Sequence, residues 1–226
     1  MNLFQWGDIA LGLTLTSILL LSSLGFFLTE ESLGRFRAVT LRINVRYFLV
    51  APLTLVAIAS TSITLYFTVS FMQWSIWSLV ASFVANLIGH SASSVRTWQQ
   101  VAVSYAFFSA LGFYFLLNIP AMALYEEKWF RKGHADWPSI VRRSSVFGPL
   151  HCITLPFLPF SVGFALIIGG LVFGWEYKRN YDQLKITTTS ARAQKEATLR
   201  SAALHSVYNY IAVTGMVVSL LGQLLI

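Results

Sequence analysis

Between Arg46 and Arg96 the chain contains no Asp, Glu, Lys or Arg, and the same is true from Arg96 to Glu126 and after Arg200. Uncharged apolar runs of that length constrain this sequence more than any other feature. A helix needs about 20 such residues to cross the hydrocarbon of a bilayer. In lipid every backbone N–H and C=O must be satisfied within the segment, which selects helices. Only 11% of the residues are charged, against roughly 25% in soluble domains, and the mean hydropathy is +0.65. The expected fold is therefore all-α: one integral membrane domain over 1–226, a polytopic bundle of about seven spans. They are drawn at 9–28, 47–71, 75–94, 101–126, 144–160, 162–177 and 201–225. Met1 to Gly7 carries no Lys or Arg, so the first span reads as uncleaved rather than as a signal peptide.

The net charge of +7 matters through its placement. Basic residues cluster in 29–46, 127–143 and 178–200, the pattern of membrane topology, and no nucleic-acid motif is present. With the N-terminus inside, the cytoplasmic segments would hold 11 Lys and Arg and the opposite ones 5. Positive-inside reasoning then puts the N-terminus in the cytoplasm and the C-terminus across the membrane; a prokaryotic plasma or internal membrane is the expected location. Membrane lipids are the expected surroundings, and the basic loops suit anionic ones. The single Cys152 excludes an intrachain disulfide. Stretch 182–200 reads as either a solvated helix or a flexible loop, and Gly170 and Gly174 as either a helix-packing pair or a coincidence.

Ionisable groups inside spans are costly and tend to be functional. Those that stand out are Glu126 and Glu127 at the end of the fourth span, His151 in the fifth, and His205, with the polar Asn209, in the seventh. At 1.5 Å per residue, Glu126 and His205 lie about 7.5 Å from the flanking arginines, His151 about 12 Å and Asn209 about 13 Å. Three helices thus bring them to one slab. A carboxylate can take a proton from water, an imidazole can assist, and an amide or imidazole can hold an oxyanion. Such a set would hydrolyse a peptide bond without a Ser or Cys nucleophile. Glu126, His151 and His205 would also supply ligands for zinc, the less favoured alternative.

Glu126-Glu127-Lys128-Trp129-Phe130-Arg131 resembles an EExxxR motif, Phe147-Gly148-Pro149-Leu150-His151 an FxxxH motif, and His205-Ser206-Val207-Tyr208-Asn209 an HxxxN motif. In that order they resemble the CPBP family, the CAAX proteases and bacteriocin-processing (Abi) membrane enzymes, over about 120–226. The resemblance implies packed transmembrane helices around a cavity open to the cytoplasm. It also implies a glutamate-dependent endopeptidase with no required cofactor, acting on a peptide or protein. By motif position Glu126 would be the general base, His151 would assist the water, and His205 with Asn209 would form the oxyanion site. Glu127, Arg131 and Phe147 would support them. Lys128, Trp129, Pro149 and the long polar stretch 182–200 depart from the family's pattern. They motivate a second expectation: a non-catalytic membrane subunit, assembly factor or immunity protein within a larger complex. A transporter with a Glu and His proton relay ranks third.

Overall fold

The computed structural model describes residues 3–75, 98–154 and 158–223. Seven α-helices occur among them: α1 (Leu3–Leu28), α2 (Glu30–Thr40), α3 (Tyr47–Thr68), α4 (Trp98–Arg131), α5 (Trp137–Thr154), α6 (Phe160–Lys185) and α7 (Ser190–Gln223). A 3₁₀ turn at Ser70–Gln73 follows α3, and the described residues contain no strand.

Three helices are long and apolar enough to cross a bilayer: α3, with mean hydropathy 2.0, Tyr105–Arg131 of α4, with 1.7, and α6, with 1.5. A fourth is counted if Gly12–Gly25 and Glu30–Thr40, which meet at 78°, form one broken span. The expected seven is not reached among the described residues. Span 75–94 lies almost wholly outside them. Helix α5 has 18 residues and carries Arg142 and Arg143. Helix α7 carries Lys195, Arg200, His205 and Asn209. Polar groups thus dilute the apolar length of both.

The connectors are shorter than the sequence suggests. Segment 29–46 is largely helical: α2 opens with Glu30 and Glu31 and ends near Arg37, charges that suit the helix dipole. Helix α4 stops at Arg131, and Gly133 at φ 81° takes the left-handed turn toward α5. The polar stretch 182–200 resolves into the end of α6 and the start of α7, joined by residues 186–189 alone. Helix α5 runs on through Pro149.

Packing fixes the direction of each helix. Gly12 of α1 meets Val103 near the start of α4, and Gly112 of α4 meets Val217 near the end of α7. Arg42 binds Glu196, and Arg46 binds Glu176. Segments 29–46, 127–143 and 178–200 therefore gather at one end of the bundle, whereas the charge-based topology set the first opposite the other two. The start of α1 and the end of α7 lie toward the same far end. Charge counting assumes that every apolar run crosses once, and the observed ion pairs do not allow that alternation.

Helix α5 packs along α6, α4 along α1 and α7, and α3 against α6 and α7. One core joins them through Tyr47, Ile58, Phe147, Phe173, Leu204 and Val207. The α5–α6 seam depends on glycine. A Cβ on Gly148 would stand 2.2 Å from the Gly163 carbonyl oxygen and 2.8 Å from the Ile167 nitrogen. One on Gly174 would stand 2.5 Å from Ile140 Cγ2. Gly170 and Gly174 both face α5, as a packing pair should. Gly148→Ala is expected to destabilise by about 1–3 kcal/mol, because backbone cannot yield as a side chain can. Thermal unfolding in detergent measures this. Gly215→Ala, with nothing within 4 Å of the new carbon, is expected to be neutral or slightly stabilising.

Candidate active site

Glu127 and Arg131 sit one helical turn apart on α4, and both side chains are fully buried. Such charges persist only when each hydrogen-bonding position is matched. Arg131 Nε donates to Glu127 Oε2 at 3.2 Å, Nη1 to Ser144 Oγ at 3.1 Å, and Nη2 to the Gly170 carbonyl at 2.6 Å. Ser144 in turn donates to the Gly170 carbonyl at 2.9 Å. The Ser201 hydroxyl lies 2.6 Å from Glu127 Oε2 and 2.9 Å from the Phe173 carbonyl. One ion pair therefore pins α4, α5, α6 and α7 together. Close packing at Gly170 and Gly174 leaves room for the guanidinium: a Cβ at Gly174 would lie 3.4 Å from Arg131 Cζ.

The same carboxylate orients a histidine. His205 Nδ1 lies 3.2 Å from Glu127 Oε1. A carboxylate only accepts, so Nδ1 carries the proton. His205 is clamped by Phe173, stacked at 4.3 Å and 19°, and its side chain is 3% exposed. His151 is fixed in the same way, with Nδ1 donating to the Phe147 carbonyl at 2.7 Å. The Phe147 ring packs 4.6 Å from that imidazole and 5.7 Å from His205. In their neutral forms both rings therefore present a bare Nε2.

Both bare nitrogens face Glu126. Its Oε2 is 3.7 Å from His205 Nε2 and 3.9 Å from His151 Nε2. Oε2 is buried and accepts no hydrogen bond from the described residues. The Glu126 and His151 side chains are 26% and 22% exposed, so they form the rim above the buried His205 and Glu127. Separations of 3.7 and 3.9 Å exceed a direct hydrogen bond. They also exceed the spacing of a tetrahedral zinc's ligands. Ligand atoms about 2.0–2.2 Å from the ion stand only about 3.3 Å apart. The described residues contain no group of three His, Cys, Asp or Glu arranged for a metal.

Five of the six polar residues singled out from the sequence, Glu126, Glu127, Arg131, His151 and His205, thus meet in one constellation, with Phe147 packed against it. Asn209 does not join them. It is half-buried one turn beyond His205 on α7, and no hydrogen bond ties it to the cluster. Sequence reading missed Ser201 and Phe173 as partners. Ser201 is four residues before His205 on the same helix face, a spacing that offers a signal. Phe173, an apolar residue in an apolar span, offers none.

A cavity of about 520 Å³ opens nearer the charge-rich end, lined by Arg42, Arg46, Arg179, Asn180, Glu196 and Arg200 among others. It is separate from the Glu126 constellation and does not match a cavity expected around that residue. No protein-family model, curated protein or solved structure matches this chain.

Proposed function

We propose that this chain is an intramembrane endopeptidase that hydrolyses peptide bonds with water activated by Glu126. One observation carries the proposal: an orphaned, buried carboxylate oxygen faces two imidazole Nε2 atoms, each held in the same tautomer by a separate partner. A water in this space donates one hydrogen to Glu126 Oε2 and the other to His151 Nε2. Its oxygen lone pair is left for a peptide carbonyl carbon. As the C–O bond forms, Glu126 takes the proton and the carbonyl oxygen becomes an oxyanion. Cleavage of the C–N bond follows as that proton passes to the departing amine. On its way from Glu126 to the amine that proton can rest on His205 Nε2, and Glu127 supports the transient positive charge, as a buried carboxylate does for a catalytic histidine. Charged His205 is the donor assigned to the oxyanion; Asn209 lies outside the cluster.

The membrane reading supplies the setting. All Lys and Arg except Arg96 lie on segments gathered at one end of the bundle, and positive-inside reasoning assigns that end to the cytoplasm. The start of α1 and the end of α7 then point to the opposite side, and the crossings include α5 and α7 beside the apolar α3, α4 and α6. The motif order Glu126-Glu127, His151, His205 is the basis for assigning the chain to the CPBP family.

Purified protein in detergent or proteoliposomes is expected to cleave members of a peptide panel, and Glu126→Ala to leave the panel intact. Cleavage should persist in a zinc chelator. If Glu126→Ala retains wild-type cleavage, the mechanism is wrong.

A further inference from the structure

The cavity at the charge-rich end plays no part in the hydrolytic mechanism. It is formed where the 41–46 turn, the end of α6 and the start of α7 meet. Four guanidinium groups line or edge it: Arg42, Arg46, Arg179 and Arg200. Two carboxylates answer them. Glu196 accepts from Arg42 at 2.8 and 3.1 Å and from Arg200 at 3.5 Å. Arg42 also holds the Glu196 carboxyl below its ordinary range, so it is charged at neutral pH. Buried Glu176 pairs with Arg46 and accepts from Tyr47 and Asn180 at 2.8 and 2.7 Å. Arg179 lies over the Trp175 ring at 5.5 Å, with no carboxylate partner among the described residues. Two positive charges therefore remain in excess. Three of the five Arg42 N–H groups are taken up by Glu196 and the Ala38 carbonyl. Arg179 and Arg200 both line the cavity, and Arg200 uses only Nε and Nη1 in its hydrogen bonds to Glu196 and Asn180.

The surroundings are those of a membrane surface. Apolar α3 begins at Tyr47, beside Arg46, and the half-exposed Trp175 marks the corresponding level on α6. From the cavity mouth an exposed apolar stripe continues along α3 through Phe48, Leu49, Leu53 and Val56. The volume of about 520 Å³ falls within the range of roughly 300–1,000 Å³ found for small-ligand sites. Guanidinium forks match phosphate oxygens in geometry as well as charge.

We infer that this cavity binds the phosphate of an anionic lipid headgroup, with the acyl chains running along the exposed face of α3. Juxtamembrane arginines contribute to such binding additively at first approximation. The inference rests on the membrane reading and is independent of the peptidase chemistry.

The test titrates the full-length chain in non-ionic detergent with short-chain phosphatidylglycerol, phosphatidylcholine or inorganic phosphate. Native mass spectrometry and thermal stability are the readouts. Phosphatidylglycerol is expected to stay bound and to raise the melting midpoint, while phosphatidylcholine and phosphate do so far less. Arg179→Gln and Arg200→Gln should each weaken phosphatidylglycerol binding about fivefold. Arg143→Gln, at the same end but outside the cavity, and Glu126→Ala should bind as wild type does. Equal retention of the two lipids overturns the proposal, as does wild-type affinity in the Arg179→Gln, Arg200→Gln double variant. Inorganic phosphate that stabilises as strongly as the lipid reassigns the site to a soluble anion and overturns the lipid assignment. Should the double variant not fold, the comparison of the two lipids on the wild-type chain still decides.

Discussion

Glu126→Gln should lower peptide cleavage by about 10²–10⁴-fold while leaving the melting midpoint unchanged or raised. Both halves follow from the same atom. Oε2 of Glu126 is buried and makes no hydrogen bond with the described residues. A buried carboxylate oxygen without a hydrogen bond costs stability, so a neutral replacement removes part of that cost. Activity at the expense of stability is a common signature of a reactive group. A structural carboxylate behaves in the opposite way: Glu127→Gln should lower the midpoint sharply, because it strips a counter-charge from buried Arg131. The two adjacent glutamates therefore separate in one pair of variants, read by peptide turnover and thermal unfolding. Unchanged turnover in Glu126→Gln, or a fall in its midpoint like that of Glu127→Gln, would remove Glu126 from the role of base.

Arg131→Met carries the largest expected loss of stability, about 3–5 kcal/mol, the usual result of leaving one member of a buried ion pair alone. Both partners are fully buried. Loss of the guanidinium leaves Glu127 uncompensated and takes one donor each from Ser144 and the Gly170 carbonyl. His205 should lose its fixed tautomer at the same time, since Glu127 Oε1 is its one hydrogen-bond anchor among the described residues, beside the stacked Phe173 ring. The double variant Glu127→Gln, Arg131→Met should recover part of the lost stability, because no unpaired charge remains. Denaturation of all three variants in one detergent checks this. Additive losses would show that the pair is not the unit holding α4 to its neighbours.

The membrane character of the chain, its helical class and the polar residues that converge were all legible in the sequence. They depend on local properties: an apolar run of sufficient length has few alternatives to a helix in lipid, and an ionisable group within such a run stands out by its cost. Spacing along α7 placed His205 and Asn209 on one face. Spacing cannot report which neighbour that face meets. Tertiary packing therefore decided that Glu127 holds His205 while Glu126 stays unpartnered, a difference between adjacent residues of the same type. It also decided that Phe173 stacks on His205 and that Asn209 stays apart from the cluster. The end at which each charged segment lies was equally out of reach, because charge counts add up a segment's residues without regard to what they pair with. The ties of Arg42 to Glu196 and of Arg46 to Glu176 cross more than a hundred positions of chain, and only the packed helices bring those partners together.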